Sequence, residues 1–232
     1  MKDKLKLVFI GHGRCGKLGL ETIRTKFLDK LDIVYIIDHP NSDVPGAVSK
    51  LATEMNIPHY NGSTDNIRQT IAQLKPDFGI IMRHPQLIKP DFFNQFKLGV
   101  FNIHPSDLPK YRGDAPLEFT IVNGDPLIVT SFKIDEGMDT GDILLKTKSV
   151  NISGKDLGEV FSITINETNR AMEQTINKIL AGEIKLTPQA GLEIKPSTAL
   201  KENIPELLKI NSEDDSDLIH RKMLAKGDKN DK

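Results

Sequence analysis

Cysteine is nearly absent from this 232-residue chain. Cys15 stands alone, so no intrachain disulfide can form, and a reducing compartment suits it. Excess charge is missing too. Against 32 Asp and Glu stand 31 Lys and Arg, and a formal net charge of -1 supplies no global basic field for nucleic acid. No apolar run approaches the ~20 residues that cross a bilayer. Residues 1–10 start too polar, and run apolar too briefly, for a signal peptide. There is no internal repeat, and no Cys/His cluster with ligand spacing, so no metal is expected. These gaps leave a cytoplasmic globular chain with no nucleic-acid or membrane partner, long enough to bury a full core.

What is present is a regular alternation. Short apolar runs predict strands over 5–10, 32–37, 57–60, 78–82, 100–103 and 128–134. Helical spacing falls between them, over 17–30, 48–55, 67–74 and 91–96; in the first, Leu20, Ile23, Phe27 and Leu28 form the apolar face. Strands alternating with helices imply an α/β fold, a doubly wound, mostly parallel sheet. Ligands bind outside the carboxyl ends of such strands. The loops at 11–16, 38–46, 83–90 and 104–116 should therefore share one side. A long helix follows over 157–180, with Val160, Ile163, Ile176 and Ile179 as core positions. From Pro188 the composition turns polar. We divide the chain into a main domain over 1–187 and a short C-terminal extension over 188–232. The extension carries a helix over 218–225 and a lysine-rich end that reads as disordered. The segment 183–211 fits a subunit contact or a strand hairpin, and periodicity does not decide.

Two stretches carry chemistry. Gly11-His12-Gly13-Arg14-Cys15-Gly16 fits G-x-G-x-x-G between a strand and a helix, and Asp38 ends the second strand where a dinucleotide fold places its ribose-binding acid. Glycines there let backbone N–H groups approach a phosphate at a helix N-terminus. Three readings stay open: a tight turn with no ligand, contact with an anionic substrate through Gly11, Gly13, Arg14 and Lys17, or an NAD-dependent oxidoreductase. A P-loop is disfavoured, because Leu18 stands where Ser or Thr would hold magnesium. The second stretch spans 101–141. Asn102 and His104, two apart, share a face at a strand's carboxyl end. An amide can donate to an oxyanion, and an imidazole can pass a proton. Asp139, in the loop after the 128–134 strand, could pair with His104 and orient it. Singly, each residue also has an ordinary structural explanation.

Together these residues form a longer pattern. Asn102-Ile103-His104-Pro105-Ser106, Leu108-Pro109, Tyr111-Arg112-Gly113, Ala115-Pro116 and Asp135 with Met138-Asp139-Thr140-Gly141-Asp142 stand in one order and spacing. That set resembles the signature of the folate-dependent formyltransferases, with weaker similarity over roughly residues 5–180. The resemblance implies a Rossmann-like domain that moves a formyl group from 10-formyltetrahydrofolate to an amine. It implies Asn102, His104 and Asp139 as the catalytic set. It also implies donor contacts at Met82, Arg83, Leu87, Asp135 and Asp139, largely through backbone groups. Asp107 departs from the family, which usually carries Leu there, and Pro126-Leu127-Ile128 lacks the glycine that often begins the next strand.

For the acceptor, the resemblance favours a small amine. The family's methionyl-tRNA branch would add a basic β-barrel domain after the extension, and the purine branch, which formylates glycinamide ribonucleotide, departs from Tyr111-Arg112-Gly113. A nucleotide-linked amino sugar of the 4-amino-4,6-dideoxy type, as used in bacterial surface polysaccharides, is the first expectation. Arg14, Lys17, Tyr111 and Arg112 are its candidate contacts. A homodimer is implied only by resemblance.

Overall fold

A computed structural model describes residues 3–189 and 199–227. Seven strands form one sheet: β1 (Leu5–Gly11), β2 (Leu31–Asp38), β3 (His59–Asn61), β4 (Phe78–Met82), β5 (Gly99–His104), β6 (Thr130–Lys133) and β7 (Ile143–Lys146). Their spatial order is β3-β2-β1-β4-β5-β6-β7. Strands β1 to β5 pair in parallel, whereas β6 runs antiparallel to β5, and β7 antiparallel to β6. This is the expected mostly parallel, Rossmann-like sheet. The first two crossovers run to one side of β1 and the third returns to the other, so β1 and β4 flank the switch point where such sheets bind ligands.

The central strands are apolar throughout because both faces are covered. Leu7, Val8, Phe9 and Ile10 of β1 are all fully buried, and they alternate between two cores. Leu7 and Phe9 join Ile80, Met82, Phe101 and Ile103 under helices α1 (Gly13–Lys26), α2 (Ala47–Glu54) and α6 (Leu157–Ala181). Val8 and Ile10 join Ile37, Ile81 and Val100 under α3 (Arg68–Leu74) and the single turn α4 (Pro90–Phe93). A third core joins α5 (Pro116–Asn123), the start of α6 and α8 (Ser216–Lys226), with the turn α7 (Ile204–Leu207) beside it. Helix α6 starts with a reciprocal capping box between Asp156 and Glu159, a device that stabilises a helix start by about 1 kcal/mol.

Some boundaries differ from expectation. Helix α1 starts at Gly13 and stops at Lys26, four residues early at each end, and Leu28 lies beyond it, 39% exposed. The turn at 11–13 is so tight that the helix begins inside the glycine motif. Helix α5 was not foreseen. It is buried between neighbours, with Leu117, Thr120, Ile121 and Val122 all covered, so it shows no amphipathic period to read. Strand β7 has only four residues. Within 183–211, Thr187 forms an isolated antiparallel bridge to Ile143, α7 is helical, and 190–198 lie outside the described residues. The lysine-rich end over 228–232 also lies outside them. No helix among the described residues is long and apolar enough to cross a membrane.

The antiparallel β6 matters for the site. Because it pairs Phe101 with Lys133 and His104 with Thr130, it ends near the amino end of β5. The following loop starts where the Ile134 N–H bonds Val100 O, and must travel back along β5 to bring Asp139 to His104.

Candidate active site

Strand β5 delivers Asn102, half-buried, and His104, 6% exposed, on one face. The His104 ring is held by the turn that follows it: Nε2 lies 3.0 Å from Tyr111 O. A carbonyl only accepts, so Nε2 carries the hydrogen and Nδ1 is the nitrogen free to take another. Nδ1 lies 3.7 Å from Asp139 Oδ2. The same carboxylate oxygen accepts the Gly113 N–H at 2.9 Å. One turn, Tyr111 to Gly113, thus anchors both the imidazole and the carboxylate that faces it.

That turn is tied down in its own right. Thr130 Oγ1 donates to Ser106 O at 2.6 Å and accepts from Leu108 N at 3.2 Å. Ser106 Oγ donates to Lys110 O at 3.1 Å and Tyr111 O at 3.3 Å. Tyr111 is buried at φ +57°, and its hydroxyl donates to Asp125 and accepts from Asn123. Burial, then the hydrogen bond it gives to Asp125, raise its pKa well above the usual phenol range. Arg112 donates from Nε and Nη2 to Gln189 Oε1, at 3.2 and 2.7 Å. Of the two acceptor candidates on this turn, Tyr111 therefore has its hydroxyl bonded within the protein, and Arg112 has its Nε and Nη2 bonded there. Asp107, the departure noted in the sequence, pairs with Lys146 at 2.5 Å.

Asp139 sits at φ +53°, a conformation that non-glycine residues rarely adopt. Its loop is stitched by Asp135, whose Oδ1 accepts from Gly137 N at 3.1 Å and Thr140 Oγ1 at 2.5 Å. A Cβ at Gly141 would overlap Lys133 O, so the loop closes only over glycine there. Across the site lies the loop after β4. Met82 is fully buried with its sulfur against Gly19, so only its backbone is available to a ligand. Arg83 follows at φ +66°, exposed, with its guanidinium 5.0 Å from the Phe161 ring centroid. Leu87 is 60% exposed, and Met138, on the Asp139 loop, is 50% exposed.

The glycine motif is built for packing. Gly11 and Gly16 meet backbone to backbone, where a Cβ at Gly16 would lie 2.6 Å from Gly11 C. Gly13, at φ +61°, lies against the Asp43 carboxylate. Asp43 accepts Arg14 N at 3.3 Å and Arg14 Nε at 2.7 Å. Burial opposes its charge, but the Arg14 hydrogen bonds win and hold its pKa below the ordinary carboxylate range. The helix N-terminus that would bind a dinucleotide's phosphate thus already carries an anion. Asp38 is likewise taken, accepting from His39 N and from Ser49 N and Oγ at 2.8–2.9 Å. Both parts of the NAD reading are occupied by the protein's own groups. Arg14 also stacks on Phe161, at 5.0 Å, and Lys17 pairs weakly with Glu21 at 3.6 Å on the exposed side. Burial pushes the Cys15 thiol up to about 12, which leaves it inert. Beside the loop, His12, His39 and His84 meet edge to face, and burial lowers His84 to about 3. No group of acid, His and Cys side chains suited to a metal occurs among the described residues.

Sequence reasoning missed Thr130, Gln189, Asp43 and Phe161. Ser106 stood in the recognised pattern without a role; the others carried no local signal.

The chain is similar to known proteins over most of its length. A family model described as formyl transferase matches residues 12–176. The methionyl-tRNA formyltransferase of Kosmotoga olearia is 33% identical over 196 residues, covering 80% of this chain and 62% of the relative. That of Clostridioides difficile is 32% identical over 185 residues, covering 73% and 60%. The chain thus spans about 60% of the length of these curated relatives. Among solved structures, an N-formyltransferase from Helicobacter canadensis, in complex with folinic acid and dTDP-3-aminofucose, superposes with a TM-score of 0.76 at 22% identity. It covers 95% of this chain and 80% of that one. A 4-N formyltransferase from Francisella tularensis gives 0.73 at 18%, covering 95% and 87%. With the family model spanning most of its length, the chain belongs to the formyl transferase family.

Proposed function

We propose that this protein transfers a formyl group from 10-formyltetrahydrofolate to the amine of a nucleotide-linked amino sugar. The observation that carries the reading is the His104–Asp139 pair, anchored on one turn beside Asn102. The donor supplies an electrophilic formyl carbon. The site suits it, since Leu87 and Met138 offer exposed apolar side chains, on loops either side of β5, to a flat heterocycle. The backbone of Arg83, Asp135 and Asp139 lies on the same two loops, and Met82 ends β4 where the first of them begins.

The chain's own residues handle charge and protons. Asn102 offers an amide N–H where negative charge develops on the formyl oxygen. His104, protonated at Nδ1, offers a second donor. The Asp139 carboxylate, 3.7 Å from that nitrogen, offsets its charge and receives, through water, the proton that the neutral attacking amine gives up as its bond to the formyl carbon forms. The bond from that carbon to N10 then breaks, and N10 leaves as tetrahydrofolate with that proton, which restores the carboxylate. Arg14, though its Nε is bonded to Asp43, and Arg83 both present an exposed guanidinium 5.0 Å from the Phe161 ring and are candidates for the acceptor's phosphates.

The sugar acceptor draws support from the two structural neighbours, whose folds match nearly the whole chain. A second reading, methionyl-tRNA, draws on the curated relatives. A coupled assay of tetrahydrofolate release separates them. We expect turnover with dTDP-linked 3- or 4-amino sugars, and little with initiator methionyl-tRNA or glycinamide ribonucleotide. Turnover with the tRNA alone would transfer the function to the second reading. Tight NADH binding with no affinity for 5-formyltetrahydrofolate would remove both.

A further inference from the structure

Gln189 is 3% exposed, yet its side chain is a long polar amide. Every hydrogen-bonding position it has is used. Nε2 donates to Asp139 O at 3.1 Å and to Gly141 O at 2.6 Å. Oε1 accepts both bonds from Arg112. Two donors and two acceptor sites are the whole capacity of the group. Its orientation is forced, because a flipped amide would set N–H against guanidinium and oxygen against two carbonyls.

The groups it joins are the two that hold the His104–Asp139 pair. On one side is Arg112, whose neighbour Gly113 binds the Asp139 carboxylate through its N–H. On the other are the carbonyls of Asp139 itself and of Gly141, in a loop whose key residue sits at an unfavourable φ. Without a clamp, that loop has reason to relax, and the carboxylate would leave both Gly113 and His104 Nδ1. Ala199 braces the turn from behind: its N–H bonds Arg112 O at 2.8 Å, and its carbonyl accepts Ala115 N at 2.7 Å. Two residues of the segment that sequence composition assigns to an extension, Gln189 and Ala199, thus support the reacting centre.

We propose that Gln189 is a positioning residue for formyl transfer, setting the distance between Asp139 and His104 without touching substrate. This rests on reading that pair as the reacting one. The test is a double-mutant cycle on kcat and KM, using 10-formyltetrahydrofolate and the fastest acceptor from the panel above. The variants are Gln189→Ala, Gln189→Glu, Asp139→Asn and each double, with thermal melts as a check on folding. Gln189→Glu keeps the shape and the acceptors for Arg112 but turns oxygen toward two carbonyls. It stands in if Gln189→Ala does not fold.

We expect either Gln189 variant to lower kcat about 10- to 100-fold with KM for the donor moved less than threefold, as misplacement of a reacting group does. In the Asp139→Asn background the same substitution should cost almost nothing more, because its route of action is gone. Losses that multiply, or a Gln189→Glu protein with wild-type kcat, would overturn the positioning role. Asp139→Asn with wild-type kcat would instead overturn the reading of the reacting pair, and the role of Gln189 with it.

Discussion

Thr130→Val is the substitution that most cleanly separates the turn from the groups it presents. Thr130 is fully buried, and valine has nearly its shape, so no cavity forms. What is lost is the hydroxyl. Its two bonds, to Ser106 O at 2.6 Å and from Leu108 N at 3.2 Å, leave one carbonyl and one N–H without those partners. A buried polar group left unpaired costs about 1–3 kcal/mol, so the pair should cost about 2–6 kcal/mol. For a chain of this size each kcal/mol moves the melting temperature by about 2–4 °C, giving a fall of at least about 4 °C and up to about 24 °C. The turn also carries Tyr111 O, the partner of His104 Nε2, so kcat should fall with it. Thr130→Ser keeps the hydroxyl and loses one methyl, and should melt about 1 kcal/mol below wild type while retaining kcat. Differential scanning calorimetry and the coupled assay read both. A Thr130→Val protein with unchanged melting temperature and kcat would refute the claim that this hydroxyl organises the turn.

Three further outcomes follow from the geometry. The Asp43 carboxylate is ionised more readily folded than unfolded, so its contribution is complete above the unfolded carboxylate's pKa of about 4 and is lost as pH falls through the lower folded value. The melting-temperature gap between wild type and Asp43→Asn should close on acidification below about pH 4, and a gap that widens there would reverse the sign. Buried His84, lowered to about 3, should stay neutral from pH 8 to 5 in NMR titration. Because the unfolded ring protonates near pH 6.5, its contribution to stability is present above that pH and declines as pH falls toward 3; a ring titrating near 6.5 would contradict its placement. Gly141→Ala would drive a Cβ into Lys133 O, and should cost about 1–3 kcal/mol in melts and displace the Asp139 loop, lowering kcat.

The sheet was readable because its strands are buried on both faces and its helices mostly on one, so two periods alternate along the chain. Leu7 to Ile10 carry that signal in four residues. Helix α5 was not readable for a different reason: five of its eight residues, Pro116, Leu117, Thr120, Ile121 and Val122, are buried, which blurs any amphipathic period. The pair of Asn102 and His104 follows from strand alternation, but their partner does not. Asp139 reaches His104 only because β6 is antiparallel and its loop doubles back along β5, a long-range fact that no local pattern contains. The glycine motif shows the converse. Its spacing is right for a dinucleotide, yet Asp43, 30 residues beyond Gly13, fills the position an anion would take. Motif and acid were local, and the competing carboxylate was not.

The central claim is that His104, presented at Nδ1 to Asp139, carries the transfer. Its most direct measurement is the single-turnover rate of formyl transfer from bound 10-formyltetrahydrofolate by His104→Ala, with donor affinity measured in the same protein. The expected rate is lower by about 10²-fold or more, with donor binding within a few-fold of wild type. A His104→Ala protein that transfers formyl at the wild-type rate would contradict it.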